Sequence, residues 1–197
     1  MHGYRGCLET ERTALLEIKR FFIAVSDIEY EDEILTSWVD DEMSDCCGWK
    51  RVQCVNATTR RVNQLSLDGI KLTRRFVSGF LNLSMFLPFQ ELESLDLSDN
   101  YFGGVYENEA YGSIGSLKRL KILNLGSNNL NNSLLPSLTT ITSLTTLRLR
   151  FCGIYGFKPN QGLAKLRNLK ALDLSYNDLN GSLESLGNNS HGCFFDD

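Results

Sequence analysis

The chain has 197 residues, of which 42% are hydrophobic and 22% are charged, and its formal net charge at pH 7 is -4. This composition is sufficient for a folded core, and the absence of a basic excess argues against a nucleic-acid-binding protein. The charge is uneven, with 12 acidic and 7 basic residues up to position 60 and 12 acidic and 13 basic residues after it. No run of 18 apolar residues that could span a membrane occurs in the sequence.

The first predicted element is a helix over the segment TERTALLEIKRFFIAV. Leu15, Ile18 and Phe22 recur in it at helical spacing, and Glu11 lies near its positive N-terminal end. We expect its apolar face to cover the first turn of the domain that follows. The next stretch, residues 27–45, has nine acids and no bases, and we interpret it as a solvated loop. It lacks the alternating Asp, Gly and Glu positions of a calcium loop.

Four of the six cysteines lie within the first 54 residues: Cys7, Cys46, Cys47 and Cys54. Such clustering is typical of a small region held together by disulfides. Cys46 and Cys47 are adjacent, so a bond between them would require a strained ring, and pairing each with a different partner is easier. We favour Cys7 with Cys46 and Cys47 with Cys54. The competing interpretation is a zinc site, although neighbouring cysteines rarely point at one ion and no histidine lies near.

Two tryptophans and two short alternating segments complete this N-terminal region. Trp38 and Trp49 flank the cysteine pair, and large rings beside disulfides usually fill a small core. Val52 and Val62 alternate with polar residues as in short strands, with NATTRR as a turn between them. The region is therefore predicted to end as a hairpin.

The remainder is organised by a repeated template, LxxLxLxxNxL, which is complete in LKALDLSYNDL from Leu169. The second leucine of each LxL pair marks five copies, spaced by 30, 28, 24 and 25 residues: Leu67, Leu97, Leu125, Leu149 and Leu174. This period is typical of leucine-rich repeats. Strand alternation sends both leucines of a pair to one face, so stacked copies form a leucine column and a parallel sheet along a concave face. The Asn of each copy, replaced by Cys152 in the fourth, is expected to turn inward and bond backbone left free by the bend.

We therefore predict an α/β leucine-rich-repeat solenoid with a disulfide-stapled cap. The cap is placed at residues 1–61, about five repeats at 62–183, and a disordered or truncated tail at 184–197. Residues 73–91 are expected to be an irregular apolar convex segment, and residues 101–119 a long surface loop. Cys193 is left without a partner.

Five sequons point to an oxidising secretory compartment, and they begin at Asn56, Asn82, Asn131, Asn180 and Asn188. Each is a candidate glycosylation site. The opening MHGYRGC has no apolar region of a signal peptide, so we expect a mature or partial chain, or a gene product with missing ends.

The N-terminal segments CLETERTALLEIK, LTSW and DCCGWKRVQC, followed by repeats, resemble the cap of plant extracellular leucine-rich-repeat proteins. That group includes receptor-like proteins, receptor-like kinases and polygalacturonase-inhibiting proteins. RVNQLSLDG and the acidic cap loop both look like those of the receptor-like proteins. The resemblance implies the same cap pairing, Cys7 with Cys46 and Cys47 with Cys54, and a cell-surface or extracellular location. The family's LxGxIP extension is poorly kept here.

No catalytic, metal or cofactor site is predicted. The two histidines, His2 and His191, lie in terminal segments, and the sequence has no nucleotide-binding glycine loop, HExxH or kinase motif. Asp96 and Asp173 occupy equivalent strand positions too far apart to act as an acid/base pair. We expect no cofactor and no enzymatic activity.

Outward positions of the repeated strands are the remaining candidates for binding. They are Ser66, Asp68, Asp96, Ser98, Asn124, Gly126, Arg148, Arg150, Asp173 and Ser175, all expected to be exposed by strand alternation. Their mixed charge suits a peptide or protein partner. Arg148 with Arg150, next to Phe151, is the best single patch and could hold one carboxylate with both guanidinium groups.

The leading hypothesis is a non-enzymatic ligand-recognition ectodomain, or a truncated form of one, of a plant receptor-like protein in defence or developmental signalling. It would act with a membrane anchor and a co-receptor kinase outside this chain. The alternatives are a secreted inhibitor of cell-wall-degrading enzymes and a nonfunctional receptor fragment.

Overall fold

A computed structural model describes residues 6–26, 33–41, 43–55, 59–70, 79–108, 110–156 and 163–179. Its main feature is a six-stranded sheet in the order β1-β2-β4-β6-β7-β8. These strands are β1 (Val52–Cys54), β2 (Val62–Ser66), β4 (Ser94–Asp96), β6 (Ile122–Asn124), β7 (Thr146–Arg148) and β8 (Ala171–Asp173). β1 and β2 form the predicted antiparallel hairpin, and every later pairing is parallel.

The parallel register stacks one leucine per strand into a column, which confirms the leucine-rich-repeat architecture. Leu65, Leu95 and Leu123 are paired in sequence across β2, β4 and β6. The column continues through Leu147 to Leu172, and all five side chains are buried. One short strand exposes too much apolar surface to be stable alone, so stacking supplies the stability.

The Asn of each template turns inward, as predicted, and links consecutive turns. Asn100 Nδ2 donates to the carbonyl oxygens of Leu67 and Leu97 at 2.7 and 2.9 Å, and its Oδ1 accepts from Ile70 N at 3.0 Å. Asn128 donates in the same way to Leu97 O and Leu125 O. These amides satisfy backbone groups that the bend removes from strand pairing, which is why they are buried.

The N-terminal cap consists of helix α1 (Glu9–Val25), a 3₁₀ turn (Cys46–Gly48) and the hairpin. Leu15, Ile18 and Phe22 are fully buried on the inner face of α1. Disulfides join Cys7 to Cys46 and Cys47 to Cys54, as predicted. The cap tryptophans stack with ring centroids 5.8 Å apart.

A buried ion pair joins α1 to the first repeat, which the sequence interpretation did not anticipate. Glu11 is fully buried, accepts from Arg61 Nε at 2.7 Å and from Val62 N at 3.1 Å, and so meets the hairpin rather than only the helix N-terminus. A buried charge is tolerated because it is paired and hydrogen-bonded.

Part of the acidic stretch is held against the cap, so the interpretation as a solvated loop is incomplete. Arg12 donates to Asp40 Oδ1 at 3.3 Å and to Asp41 O at 2.8 Å. Asp45 accepts from Cys47 N and pairs with Arg60. Residues 27–32 and 42 lie outside the described ranges.

A second sheet corrects the expectation of an irregular convex segment. β3 (Phe80–Asn82) pairs in parallel with β5 (Gly104–Tyr106), so two repeats carry a short strand on the side away from the main sheet. A Cβ at Gly104 would lie 2.6 Å from the Phe80 ring, so only glycine allows this pairing. Residues 80–82 are therefore strand, and residues 101–119 are not a simple loop.

Short helical segments connect the strands along the repeats. They are 3₁₀ turns at Leu83–Phe86, Ile114–Ser116, Asn131–Leu134 and Leu163–Lys165, and a short helix α2 at Leu135–Leu138. Within the described ranges, no helix combines the length and apolar character needed to cross a membrane. The predicted tail, Cys193, Asn56, Asn180 and Asn188 lie outside those ranges.

Candidate functional site

The concave row of outward positions divides into side chains bonded to one another and side chains left to solvent. Ser66, Arg148 and Arg150 are exposed, and Asp68, Asp96, Asn124, Asp173 and Ser175 are half-buried. The expectation that all ten positions are exposed is wrong for Ser98 and Gly126, which are buried. Neighbouring side chains of the row cover them, which strand alternation alone does not reveal.

The first half of the row is tied down by hydrogen bonds. Asp96 Oδ1 accepts from Ser98 N and Ser98 Oγ at 2.9 and 2.6 Å. Asn124 Nδ2 donates to Asp96 Oδ2 at 3.0 Å and to Ser98 Oγ at 3.2 Å. On the first turn, Arg51 Nη1 contacts both the backbone and the carboxylate of Asp68. These polar groups satisfy each other and stabilise the stacking of turns.

The second half of the row presents two cations. Arg148 is the last residue of β7 and Arg150 follows two residues later. Neither forms a salt bridge with any residue that the structure describes. Asp173 is in register with Arg148, but its Oδ1 accepts from Ser175 N and Ser175 Oγ at 2.9 and 2.6 Å. The carboxylate of Asp173 is therefore engaged by hydrogen bonds within its own turn, and the guanidinium groups of Arg148 and Arg150 are exposed to solvent.

An open cleft of about 590 Å³ lies over this half of the row. Its lining residues are Ser98, Asp99, Asn124, Gly126, Ser127, Arg148, Arg150, Phe151, Asp173 and Tyr176. The guanidinium of Arg150 stacks over the Tyr176 ring at 4.5 Å from the centroid, which orients its planar fork. The structure thus brings together six of the predicted binding positions, whereas Ser66, Asp68, Asp96 and Ser175 do not line the cleft.

Exposed aromatic side chains beside the cleft were missed by the sequence analysis, except for Phe151. Tyr101, Phe151, Tyr155 and Tyr176 are 60 to 70% exposed. Phe151 and Tyr176 directly precede the Asn or Cys of the template, where earlier turns have Asp99 and Ser127. All four of these template positions have a left-handed backbone, with φ between 54° and 58°. Bulky residues at such a position could have been noticed from the aligned repeats.

Cys152 is a buried member of the Asn column, as predicted. Its thiol donates to Leu125 O at 3.1 Å, replacing one of the bonds that Asn100 and Asn128 make. Burial raises the pKa of the Cys152 thiol to about 12, so it remains protonated near neutral pH. The buried, protonated thiol is poorly suited to nucleophilic attack, because the thiolate is the reactive form.

Two of the five sequons fall on described residues. Asn82 Oδ1 accepts from Ser84 N at 3.0 Å, and Asn131 Oδ1 accepts from Ser133 N at 2.8 Å. Both asparagines are half-buried and share the same local turn.

Among the described residues, no three His, Cys, Asp or Glu side chains converge as a metal site would require. The chemistry that the cleft can offer is hydrogen bonding, charge and aromatic contact.

Comparison with known proteins places this geometry in a family. Residues 8–55 match the family described as "Leucine rich repeat N-terminal domain", and residues 91–110 and 165–182 match leucine-rich-repeat families. Receptor-like protein 56 of Arabidopsis thaliana is 44% identical over 159 residues, which is 79% of this chain and 16% of that protein. The chain therefore spans about a sixth of that curated relative.

Solved structures agree on the fold. The BIR2 ectodomain from Arabidopsis thaliana has a TM-score of 0.65 and 27% identity, with 89% of this chain and 84% of that chain covered. A plant ice-binding protein has a TM-score of 0.62 and 31% identity, covering 87% and 49%. The BIR3–SERK2 complex from Arabidopsis thaliana has a TM-score of 0.58 and 27% identity, covering 86% of both chains. Cap, disulfides, repeats and relatives together show that the chain belongs to the plant leucine-rich-repeat proteins of the receptor-like type.

Proposed function

We propose that the chain is the ligand-recognising part of a non-enzymatic receptor-like protein, and that its cleft binds a peptide or protein through a carboxylate. The observation that supports this most is the pair Arg148 and Arg150, exposed side by side without a salt bridge to a described residue. A folded protein gains little from two like charges held together, so the pair is better explained by an external anion. Two guanidinium groups offer the donors that a carboxylate accepts.

The surroundings of the pair favour an extended ligand over a small apolar one. The cleft is open, and its lining combines two arginines, two aspartates, one asparagine, two serines, a glycine and two aromatic residues. Polar groups of this kind, with Tyr and Arg at the centre, are typical of protein interfaces. A Cβ at Gly126 would lie 3.3 Å from both Asn124 Oδ1 and Arg150 O, so glycine lets these two residues pack closely at the base of the cleft.

Signalling in defence or development would then require a membrane anchor and a co-receptor kinase supplied outside the chain. The names of the relatives support this, and the BIR3–SERK2 complex shows that a protein of similar fold associates with a second one. We place the protein at the cell surface or in the extracellular space. The cap disulfides fit that compartment, and we propose glycans at Asn82 and Asn131.

The experiment measures binding of N-acetylglycine, which presents one carboxylate, against N-acetylglycine amide, which presents none. Two-dimensional NMR should show saturable shifts around the cleft with the acid only. Arg148→Glu with Arg150→Glu should abolish them.

The matched control is Arg119→Glu, which makes the same charge change at an exposed arginine that pairs with Glu91 away from the cleft. The control should bind the acid as the wild type does. Equal shifts with acid and amide, or loss of binding in the control, would contradict the proposal. A free-carboxylate peptide library, panned against the same three proteins, then identifies the sequence class of the ligand.

A further inference from the structure

A hollow beside the arginine cleft has the opposite chemistry. Its volume is about 540 Å³, and Tyr101, Phe151, Tyr155 and Tyr176 contribute aromatic rings to its lining. Asp99 and Asp178 also line it, whereas none of the lysines and arginines that the structure describes does. The hollow therefore combines four π faces or edges with two carboxylates.

Backbone geometry builds the hollow from several turns at once. Gly153 lies in its floor with φ of +71°, where a Cβ would lie 2.7 Å from Asn129 Oδ1. The neighbouring turns carry Asn129 and Asp178 at the same template position, so glycine in the middle turn leaves a depression. The surrounding rings are thereby spaced around an open centre instead of filling it.

The aromatic residues are held by backbone contacts and not by burial of their rings. Tyr155 O accepts from Asn132 Nδ2 at 2.7 Å, Tyr155 N donates to Asn132 Oδ1 at 3.3 Å, and Tyr155 bridges to Asp178 on the next turn. Tyr176 and Phe151 have positive φ, which is costly for bulky side chains. Folding alone does not account for exposed rings at such positions, and clustered exposed aromatics are typical of binding surfaces.

We infer that this hollow binds a cationic side chain, arginine in preference to lysine, from the same peptide or protein ligand whose carboxylate occupies the cleft. The inference rests on the proposed function only in assigning both subsites to one ligand, because they share Asp99, Ser127, Phe151 and Tyr176. A guanidinium is attracted by aromatic faces and by carboxylates, and its plane can stack on a ring. The molecule already contains this contact, since Arg150 stacks on Tyr176. The ligand would carry its positive and negative groups within a few residues of each other.

The test uses Nα-acetyl-arginine amide, which has one positive charge and no carboxylate, and the neutral analogue Nα-acetyl-citrulline amide. NMR titration should show shifts at Tyr155 and Tyr176 with arginine, and binding at least about tenfold weaker with citrulline, because only the guanidinium is charged. Tyr155→Ala should weaken arginine binding about fivefold. Asp99→Asn should weaken it by a smaller factor, and this variant removes a charge while leaving all the aromatic rings in place. Tyr111→Ala is the control, since this tyrosine is 73% exposed and does not line the hollow.

Arg150→Ala separates this inference from the proposed function. Removing Arg150 takes away a positive charge that competes for Tyr176, so arginine amide should bind more tightly while N-acetylglycine binds more weakly. Equal binding of arginine and citrulline, or weaker arginine binding in Arg150→Ala, overturns the inference. Tighter arginine binding supports the inference even if N-acetylglycine binding is unchanged, in which case only the proposed carboxylate site fails.

Discussion

The two halves of the concave row are built from the same repeat, but their side chains have different roles. On the turns of β4 and β6, the side chains of Asp96, Ser98 and Asn124 bond to one another and to their own backbone. On the turn of β7, Arg148 and Arg150 face solvent beside exposed aromatic rings, whereas Asp173 on the next turn bonds to Ser175 as Asp96 does to Ser98. The difference shows that position in a repeat decides where a side chain points, while its neighbours decide whether it stabilises the fold or remains available to a ligand.

The largest loss of stability is expected when one of the inward-pointing asparagines is replaced. Asn100→Ala would leave the carbonyls of Leu67 and Leu97 and the amide of Ile70 without the partners shown for them. The free energy of unfolding should fall by about 4 kcal/mol, because each buried donor or acceptor left without a hydrogen bond costs about 1–3 kcal/mol. Chemical denaturation measures it. Asn129→Ala makes the same change at an exposed asparagine without positive φ, for which no side-chain hydrogen bond to a described residue is seen. It should cost less than about 0.5 kcal/mol, and a similar loss in both variants would refute the distinction.

The cap disulfides should differ in their contribution to stability. The Cys7–Cys46 bond closes 39 residues of chain and the Cys47–Cys54 bond closes 7. On loop-closure entropy, replacing the first pair by serine should cost about 4 kcal/mol and the second about 2.5 kcal/mol. Urea unfolding of the two double variants checks the order. A larger loss for the short loop would show that local packing around Trp49, not chain entropy, dominates.

The thiol in the Asn column should make stability depend on pH in the alkaline range. Burial raises the pKa of Cys152 in the folded protein to about 12, from an ordinary value of 9.0. The protonated thiol therefore makes its full contribution to the free energy of unfolding below pH 9. This contribution is lost as the pH rises from 9 to 12, because Cys152 ionises at a lower pH in the unfolded chain than in the folded protein. The difference in unfolding free energy between wild type and Cys152→Ser, followed from pH 8 to pH 10, should shrink. Rapid alkylation of Cys152 at pH 8 without unfolding would contradict this.

The smallest stability effect is expected at the exposed ring positions. Tyr176→Asn places a residue that tolerates positive φ where the native side chain is bulky, so stability should remain equal or rise by about 0.5 kcal/mol. The same change removes the ring that Arg150 stacks on and should weaken ligand binding. Thermal unfolding together with arginine amide titration measures both quantities. A clear destabilisation would mean that the ring supports the fold.

Sequence patterns predicted the parts of the molecule that depend on periodic burial. The LxL pairs, the inward Asn and the cap pairing follow from side-chain alternation and from the cap resemblance. The β3–β5 sheet was missed because its pairing depends on Gly104 meeting Phe80, 24 residues earlier in the chain. Ser98 was expected to be exposed because alternation points it outward, yet Asn124 and Asp96 enclose it.

The candidate site was predicted in part. Arg148 and Arg150 were found from their strand positions, and Phe151 from its place beside them. The hollow depends on rings that are distant in sequence, such as Tyr101 and Tyr176, and on the left-handed backbone that turns them to the same side. Alternation carries no information on that geometry.

The most direct measurement of the central claim is a pair of NMR titrations mapped on the backbone, one with N-acetylglycine and one with Nα-acetyl-arginine amide. The account predicts saturable shifts confined to residues 148–178 and their contacts at 99–101 and 124–127, with the acid and the cation affecting adjacent subsets. Shifts centred on Ser66, Asp68 and the cap, or no saturation with either compound, would contradict the assignment of ligand recognition to the last two turns.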